Sequence, residues 1–325
     1  MTSAHPLKKF FCKNMSSIID QPIFSLVACY HRFEDDEARA IADALLRNNL
    51  TTSIILEDNK IGDDGVEAIA KAMMVKSFVK KISFYGNYIK NRGAKAIAST
   101  LEGNRSLVSI NLANNMIECK GAIEISEAIK INRCLTFLDL GCNEIRIEGA
   151  CALADALSTN TSIVSFDLYS NHLGEKGAIA FAQAIRVNTS LLSIDLGNNS
   201  IQEEGARELA EALKVNKSIT SIDLGYNDFG NMGIFSISDM LRVNKTIKSI
   251  YLYGNSNRSE GLKDLLESLE KNYTILTLTC DGGKNNTKLA DLLARNHSLQ
   301  WRNQHAVILD MCIAMQRLEL PAYVL

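Results

Sequence analysis

The chain has 325 residues, 46% hydrophobic and 22% charged, with a formal net charge of −2 at pH 7. That balance suits a packed soluble protein and offers nucleic acid no global basic field. Its eight cysteines, at 12, 29, 119, 134, 142, 151, 280 and 312, form no C-x-x-C pair, which excludes zinc and redox spacing and the density of a disulfide scaffold.

The N-terminal stretch MTSAHPLKKFFCKNMSSIID has short apolar runs broken by Lys13 and Asn14. It is not a secretory signal, and a capping segment is expected over 1–21. A degenerate unit follows over 22–49, with a helix over 38–49. From there an asparagine returns at Asn59, Asn87, Asn115, Asn143, Asn171, Asn199, Asn227 and Asn255, every 28 residues. A glycine keeps the same step from Gly65 through Gly261. A second asparagine runs from Asn48 to Asn272 and is missing only at Lys76. In the degenerate unit His31 and Glu37 stand in the first asparagine and glycine columns. Ladders in lockstep are the signature of a solenoid.

Within a unit the periodicity changes. SIDLGYN (221–227) alternates, with Ile222 and Leu224 on one side, and predicts a short strand. GARELAEALKVN (205–216) places Ala206, Leu209, Ala210 and Leu213 on one helical face. Strand, loop, helix and turn in 28 residues, with the pattern L-x-x-L-x-L-x-x-N, resemble the leucine-rich repeats of the ribonuclease-inhibitor type. The resemblance implies an α/β horseshoe solenoid, with parallel strands on the concave face and helices on the convex face. It also implies a buried strand-end asparagine bonded to neighbouring loop backbone. The glycine is expected where a Cβ would not fit, and the second asparagine where a left-handed residue ends the helix.

Toward the C-terminus, TILTLTCDGGKNN (274–286) keeps the strand but has Gly283 in the asparagine column. Asn296 arrives four residues early, so a shortened loop or helix is expected. In the tail, Val307, Ile308, Met311, Cys312 and Met315 form an apolar stripe, expected as a capping helix or a docking segment. The division is therefore 1–37, N-terminal cap and degenerate first repeat; 38–300, repeat array; 301–325, capping helix and tail. The longest apolar run of the tail contains Asp310 and is too short to span a bilayer. Sequons at Asn160, Asn188, Asn216, Asn244 and Asn272 would put a glycan at nearly every turn; with the scattered thiols, this points to the cytoplasm.

No phosphate-binding glycine loop, nucleophile elbow or H-E-x-x-H motif occurs. Histidines 5, 31, 172, 297 and 305 do not pair with cysteine or carboxylate at ligand spacing. No enzyme, metal or cofactor is expected. Signal must then come from the open sheet face. Three same-face columns run along it. The first is mostly serine (Ser109, Ser165, Ser193, Ser221, Ser249). The middle column holds Asp139, Asp167, Asp195 and Asp223 on successive strands, then Tyr251. The third holds Tyr85, Tyr169 and Tyr253 among Gly141, Gly197 and Gly225, with Tyr226 beside it. Like charges stacked about 4.8 Å apart repel, at about a kcal/mol or less per pair if exposed. Aspartate held by serine hydroxyls is one reading. The other is an acidic stripe for a basic protein partner, with the tyrosines as anchors. These aspartates and tyrosines are the candidate partner-binding residues.

A bare array resembles the leucine-rich repeat effectors that intracellular bacteria deliver into host cytosol. That likeness implies a monomeric protein-binding module. Two alternatives stand beside it: a GTPase activator like that of Ran, whose acidic tail this chain lacks, and a ubiquitin-ligase adaptor acting through LELPAYVL.

Overall fold

A computed structural model describes residues 24–75, 78–256, 259–284 and 286–304. Ten strands of three residues each form one parallel sheet in chain order: β1 (Ser25–Val27), β2 (Ser53–Ile55), β3 (Lys81–Ser83), β4 (Ser109–Asn111), β5 (Phe137–Asp139), β6 (Ser165–Asp167), β7 (Ser193–Asp195), β8 (Ser221–Asp223), β9 (Ser249–Tyr251) and β10 (Thr277–Thr279). Each residue pairs with the one 28 positions on, as Leu138 with Phe166 and Ile222 with Ile250. The helices between and after them are α1 (Asp35–Arg47), α2 (Asp63–Val75), α3 (Asn91–Gly103), α4 (Cys119–Ile131), α5 (Arg146–Thr159), α6 (Gly174–Val187), α7 (Gln202–Val215), α8 (Gly230–Val243), α9 (Ser259–Glu270) and α10 (Thr287–Gln304). Strands repeat about every 4.8 Å and packed helices about every 8–10 Å. One layer of each therefore bends into the expected horseshoe, with the sheet inside.

The core lies between the layers. Strand residues such as Leu138 and Leu140 are buried against helix residues such as Ala150, Leu153 and Leu157. The glycine ladder lets the helices close on one another: a Cβ added at Gly205 would lie 2.5 Å from Ile201 Cγ2 and 3.0 Å from Ala178 Cβ. The strand-end asparagine is buried as expected. Asn143 Nδ2 donates to the carbonyls of Leu112 (3.0 Å), Leu140 (2.9 Å) and Gly141 (3.1 Å), and its Oδ1 accepts from Ile117 N–H at 2.9 Å. One amide thus satisfies two adjacent loops, including buried groups that water cannot reach.

Two expectations are corrected. The second asparagine is not left-handed: Asn132, for example, has φ −69° and ψ 136°. Its work is done by the side chain. Nδ2 donates to Leu101 O (2.8 Å) in the previous unit, and Oδ1 accepts from Cys134 and Leu135 N–H, both at 2.8 Å. An extended backbone directs the chain back toward the next strand, and the Asx-type bonds turn it. The sequon asparagines are consumed alike: Asn160 and Asn188 each donate Nδ2 at 2.7 Å to the carbonyls of Ile129 and Leu157. The last unit is not shortened either. Helix α10 runs 18 residues, so Asn296 sits inside it, buried, donating to Asn272 O and Ile275 O at 3.0 and 2.8 Å.

Left-handed residues fall elsewhere, in the loop around the strand-end asparagine, and one column of them stands immediately before it. Asp58, Asn114, Cys142, Ser170, Asn198 and Tyr226 have φ between 52° and 56°, and Gly86 and Gly254 occupy the same column. The capping segment expected over 1–21 and the apolar stripe Val307–Met315 lie outside the described residues.

Candidate functional site

The parallel register places Asp139, Asp167, Asp195 and Asp223 side by side on β5 to β8, between Asn111 on β4 and Tyr251 on β9. Each strand alternates, so these side chains leave the core face and line the concavity. They are only half exposed. Each Oδ1 accepts a backbone N–H two residues on: Gly141 to Asp139 at 3.0 Å, Tyr169 to Asp167 at 2.9 Å, Gly197 to Asp195 and Gly225 to Asp223, both at 2.8 Å. Backbone amides, not the serine hydroxyls, are the donors. Asn111 does the same for Ala113 at 2.8 Å, so this bond does not require a charge.

The charge therefore requires a separate account, because it is costly here. Burial, with Asp167's charge second, pushes the Asp139 carboxyl up to about 6 and the Asp195 carboxyl up to about 7. Burial also raises Asp167 and Asp223 above the ordinary carboxylate range. The repulsion expected for an exposed stripe thus understates the cost. No ion pair among the described residues reaches these four carboxylates. The cations pair on the helix layer instead: Lys130 with Glu127 and Asp155, both at 2.8 Å, and Lys95 with Glu124 at 2.9 Å.

The glycines of the third column explain the close fit. A Cβ at Gly141 would lie 3.1 Å from Asp167 Oδ1, and one at Gly197 3.1 Å from Tyr169 Cδ2 and 3.2 Å from Asp195 Oδ1. These glycines leave room for carboxylates and rings on a crowded face.

Four of the five candidate tyrosines converge. Tyr169, Tyr226, Tyr251 and Tyr253 line a cavity of about 840 Å³ with Asp223 and with Leu278, Leu289 and Leu293 of the last unit. Tyr226 and Tyr253 meet edge to face, centroids 5.6 Å apart and planes at 76°. Tyr85, beyond β3, is partly exposed and is not among the residues of this cavity. Sequence columns found the rings but not the apolar wall, whose only signal was Gly283 replacing the strand-end asparagine. A smaller hollow of about 330 Å³ on the convex side, between α2 and α3, is lined by ion-paired Glu67, Lys71 and Arg92.

Among the described residues, no three His, Cys, Asp or Glu side chains group as a metal site. No helix among them is long and apolar enough to cross a membrane.

Comparison with known proteins adds the repeat class. A leucine-rich repeat family model matches residues 52–70, 132–154, 159–182, 187–210 and 215–238. No curated protein matches the chain. Similar solved structures include leiomodin-1 actin-binding site 2, 20% identical with a TM-score of 0.45, covering 51% of this chain and 97% of that one. Another is a tropomodulin C-terminal domain of Caenorhabditis elegans, 14% identical with a TM-score of 0.40, covering 48% and 96%. Five matched segments, a 28-residue step and one open parallel sheet together show that this chain carries leucine-rich repeats, an architecture that presents a concave surface for protein partners.

Proposed function

We propose that the chain is a non-enzymatic recognition module that holds a protein with a basic surface against its concave face. The observation that carries this is the stripe Asp139, Asp167, Asp195 and Asp223. Asn111 shows that a neutral side chain makes the same backbone bond, yet four successive units keep a carboxylate that burial opposes, with neighbouring aspartates adding to the cost at Asp139, Asp167 and Asp195. Charges retained at a cost in stability are characteristic of functional surfaces. A basic partner would supply the missing counter-charge and steer its own approach. Tyrosines beside the stripe would add anchoring area.

The reading extends to an effector delivered by a bacterium and acting as a monomer in host cytosol. Free thiols at Cys29, Cys119, Cys134, Cys142, Cys151 and Cys280 and the buried sequon asparagines support a compartment without oxidation or N-glycosylation. The division at 37/38 and 300/301, with caps on either side of the array, belongs to the same proposal. GTPase activation and ligase docking have no observation that favours them; LELPAYVL lies outside the described residues.

The test is affinity capture by the parent, by a quadruple Asp→Asn variant of the stripe, and by a convex-face variant carrying Lys71→Ala and Lys95→Ala. A protein bound by the parent and the convex variant but lost from the quadruple variant supports the reading. Equal capture by all three overturns it.

A further inference from the structure

We propose that the tyrosine-lined cavity at the C-terminal end of the concave face is a binding site for an arginine side chain of the partner. This deepens the concave-face reading and rests on it. Three observations point to a cation with a flat head and an apolar stem.

The first is the lining. Tyr169, Tyr226, Tyr251 and Tyr253 surround the cavity, and aromatic faces carry the negative side of the ring quadrupole toward a cation. Asp223 adds a carboxylate whose Oδ1 is held by Gly225 N–H at 2.8 Å. Its neighbours along the sheet are Asp195 and, on the other side, Tyr251. Lys284, exposed at the rim, is the cation of the lining.

The second is that the rings are held in place by backbone features with a cost. Tyr226 stands at φ 56°, in the left-handed region that a bulky residue seldom adopts. Its ring occupies the space a Cβ at Gly254 would need, which would come 2.4 Å from Tyr226 Cδ1. Gly197 likewise leaves room for the Tyr169 ring. In the same column the first unit also carries a tyrosine, Tyr30 at φ 61°, but the units between carry Asp, Asn, Ser, Cys or Gly, so the ring is not required by the turn.

The third is the last unit's part of the lining. Half-buried Leu293 offers apolar surface to a methylene stem, backed by Leu278 and Leu289, which are almost fully buried. A planar, weakly hydrated guanidinium stacks on tyrosine and bonds a carboxylate through two N–H groups, whereas an ammonium does neither as well. At about 840 Å³ the cavity exceeds one side chain, so the arginine would enter with the chain that bears it.

The test titrates the protein, labelled with ¹³C-tyrosine, with N-acetylarginine amide and with its neutral near-isostere N-acetylcitrulline amide, following tyrosine ring signals by NMR. Arginine amide is expected to shift the Tyr226 and Tyr253 signals to saturation with a dissociation constant on the order of 1–10 mM. Citrulline amide should bind at least about fivefold more weakly. Asp223→Asn and Tyr226→Asn should each weaken the arginine amide about tenfold, and Tyr88→Leu, at an exposed ring outside the cavity, should leave it unchanged. Asparagine tolerates the left-handed backbone at 226, so that variant should keep the fold, checked by circular dichroism. Equal binding of citrulline, or indifference to Asp223→Asn, overturns the inference. If arginine does not bind while the quadruple stripe variant still loses the partner, this inference alone fails. Capture unaffected by the quadruple variant removes the reading beneath it.

Discussion

Replacing Asp195 by asparagine should stabilise the protein at high pH and leave it unchanged at low pH. The amide retains the oxygen that accepts Gly197 N–H at 2.8 Å, as Asn111 already does for Ala113. What it removes is a carboxylate held at about 7 in the folded chain, against about 3.9 in an unfolded one. Between those values the folded state binds more protons. The stability this confers is complete below pH 4 and is lost as pH rises through 7. A gap of about three units corresponds to about 4 kcal/mol, which water and salt in an open concavity reduce to about 2 kcal/mol. Urea unfolding at pH 4 and pH 8 reads this directly. At pH 8 the variant midpoint should exceed the parent by about 0.7 M, for an m-value of about 3 kcal/mol/M. At pH 4 the two should coincide. A variant less stable than the parent at pH 8, or an equal gain at both pH values, would refute the account of a charge kept against burial.

Two further predictions concern the ladders. Gly205→Ala should cost about 1–3 kcal/mol, because its Cβ would press on Ile201 and Ala178; Gly103→Ala, with nothing within 4 Å of the added atom, should gain about 0.5–1 kcal/mol. Thermal melts that fail to show opposite signs would contradict the packing described. Asn132→Ala should cost about 2–4 kcal/mol by chemical denaturation, since it leaves buried Leu101 O and the Cys134 and Leu135 N–H groups without their partner.

The horseshoe was legible in the sequence because a repeat restates each constraint many times over. Asn143 alone says little, but eight asparagines at a constant step show that one environment recurs, and the change from alternation at Ile222 and Leu224 to helical spacing at Leu209 and Leu213 assigns the elements. Backbone conformation was less legible. The second asparagine was expected to be left-handed because such residues often end helices, yet here the side chain makes the turn and the backbone stays extended. The left-handed column was hidden because Asp58, Cys142, Ser170 and Tyr226 share no chemistry that marks it. In the stripe, the aspartates were readable but their burial was not, because it depends on Gly141 and Gly197 admitting carboxylates and rings from neighbouring units. The cavity wall was harder still: Leu289 and Leu293 belong to the last unit, where Gly283 replaces the strand-end asparagine and Asn296 falls out of its column.

If the concave aspartates serve recognition rather than architecture, removing their charge should abolish binding and spare the fold. Partner capture by the Asp139, Asp167, Asp195 and Asp223 quadruple Asp→Asn variant, measured on protein shown to be folded, tests it most directly. The expected variant is at least as stable as the parent at pH 8 and no longer retains the partner. A variant that retains the partner undiminished would contradict a role in recognition.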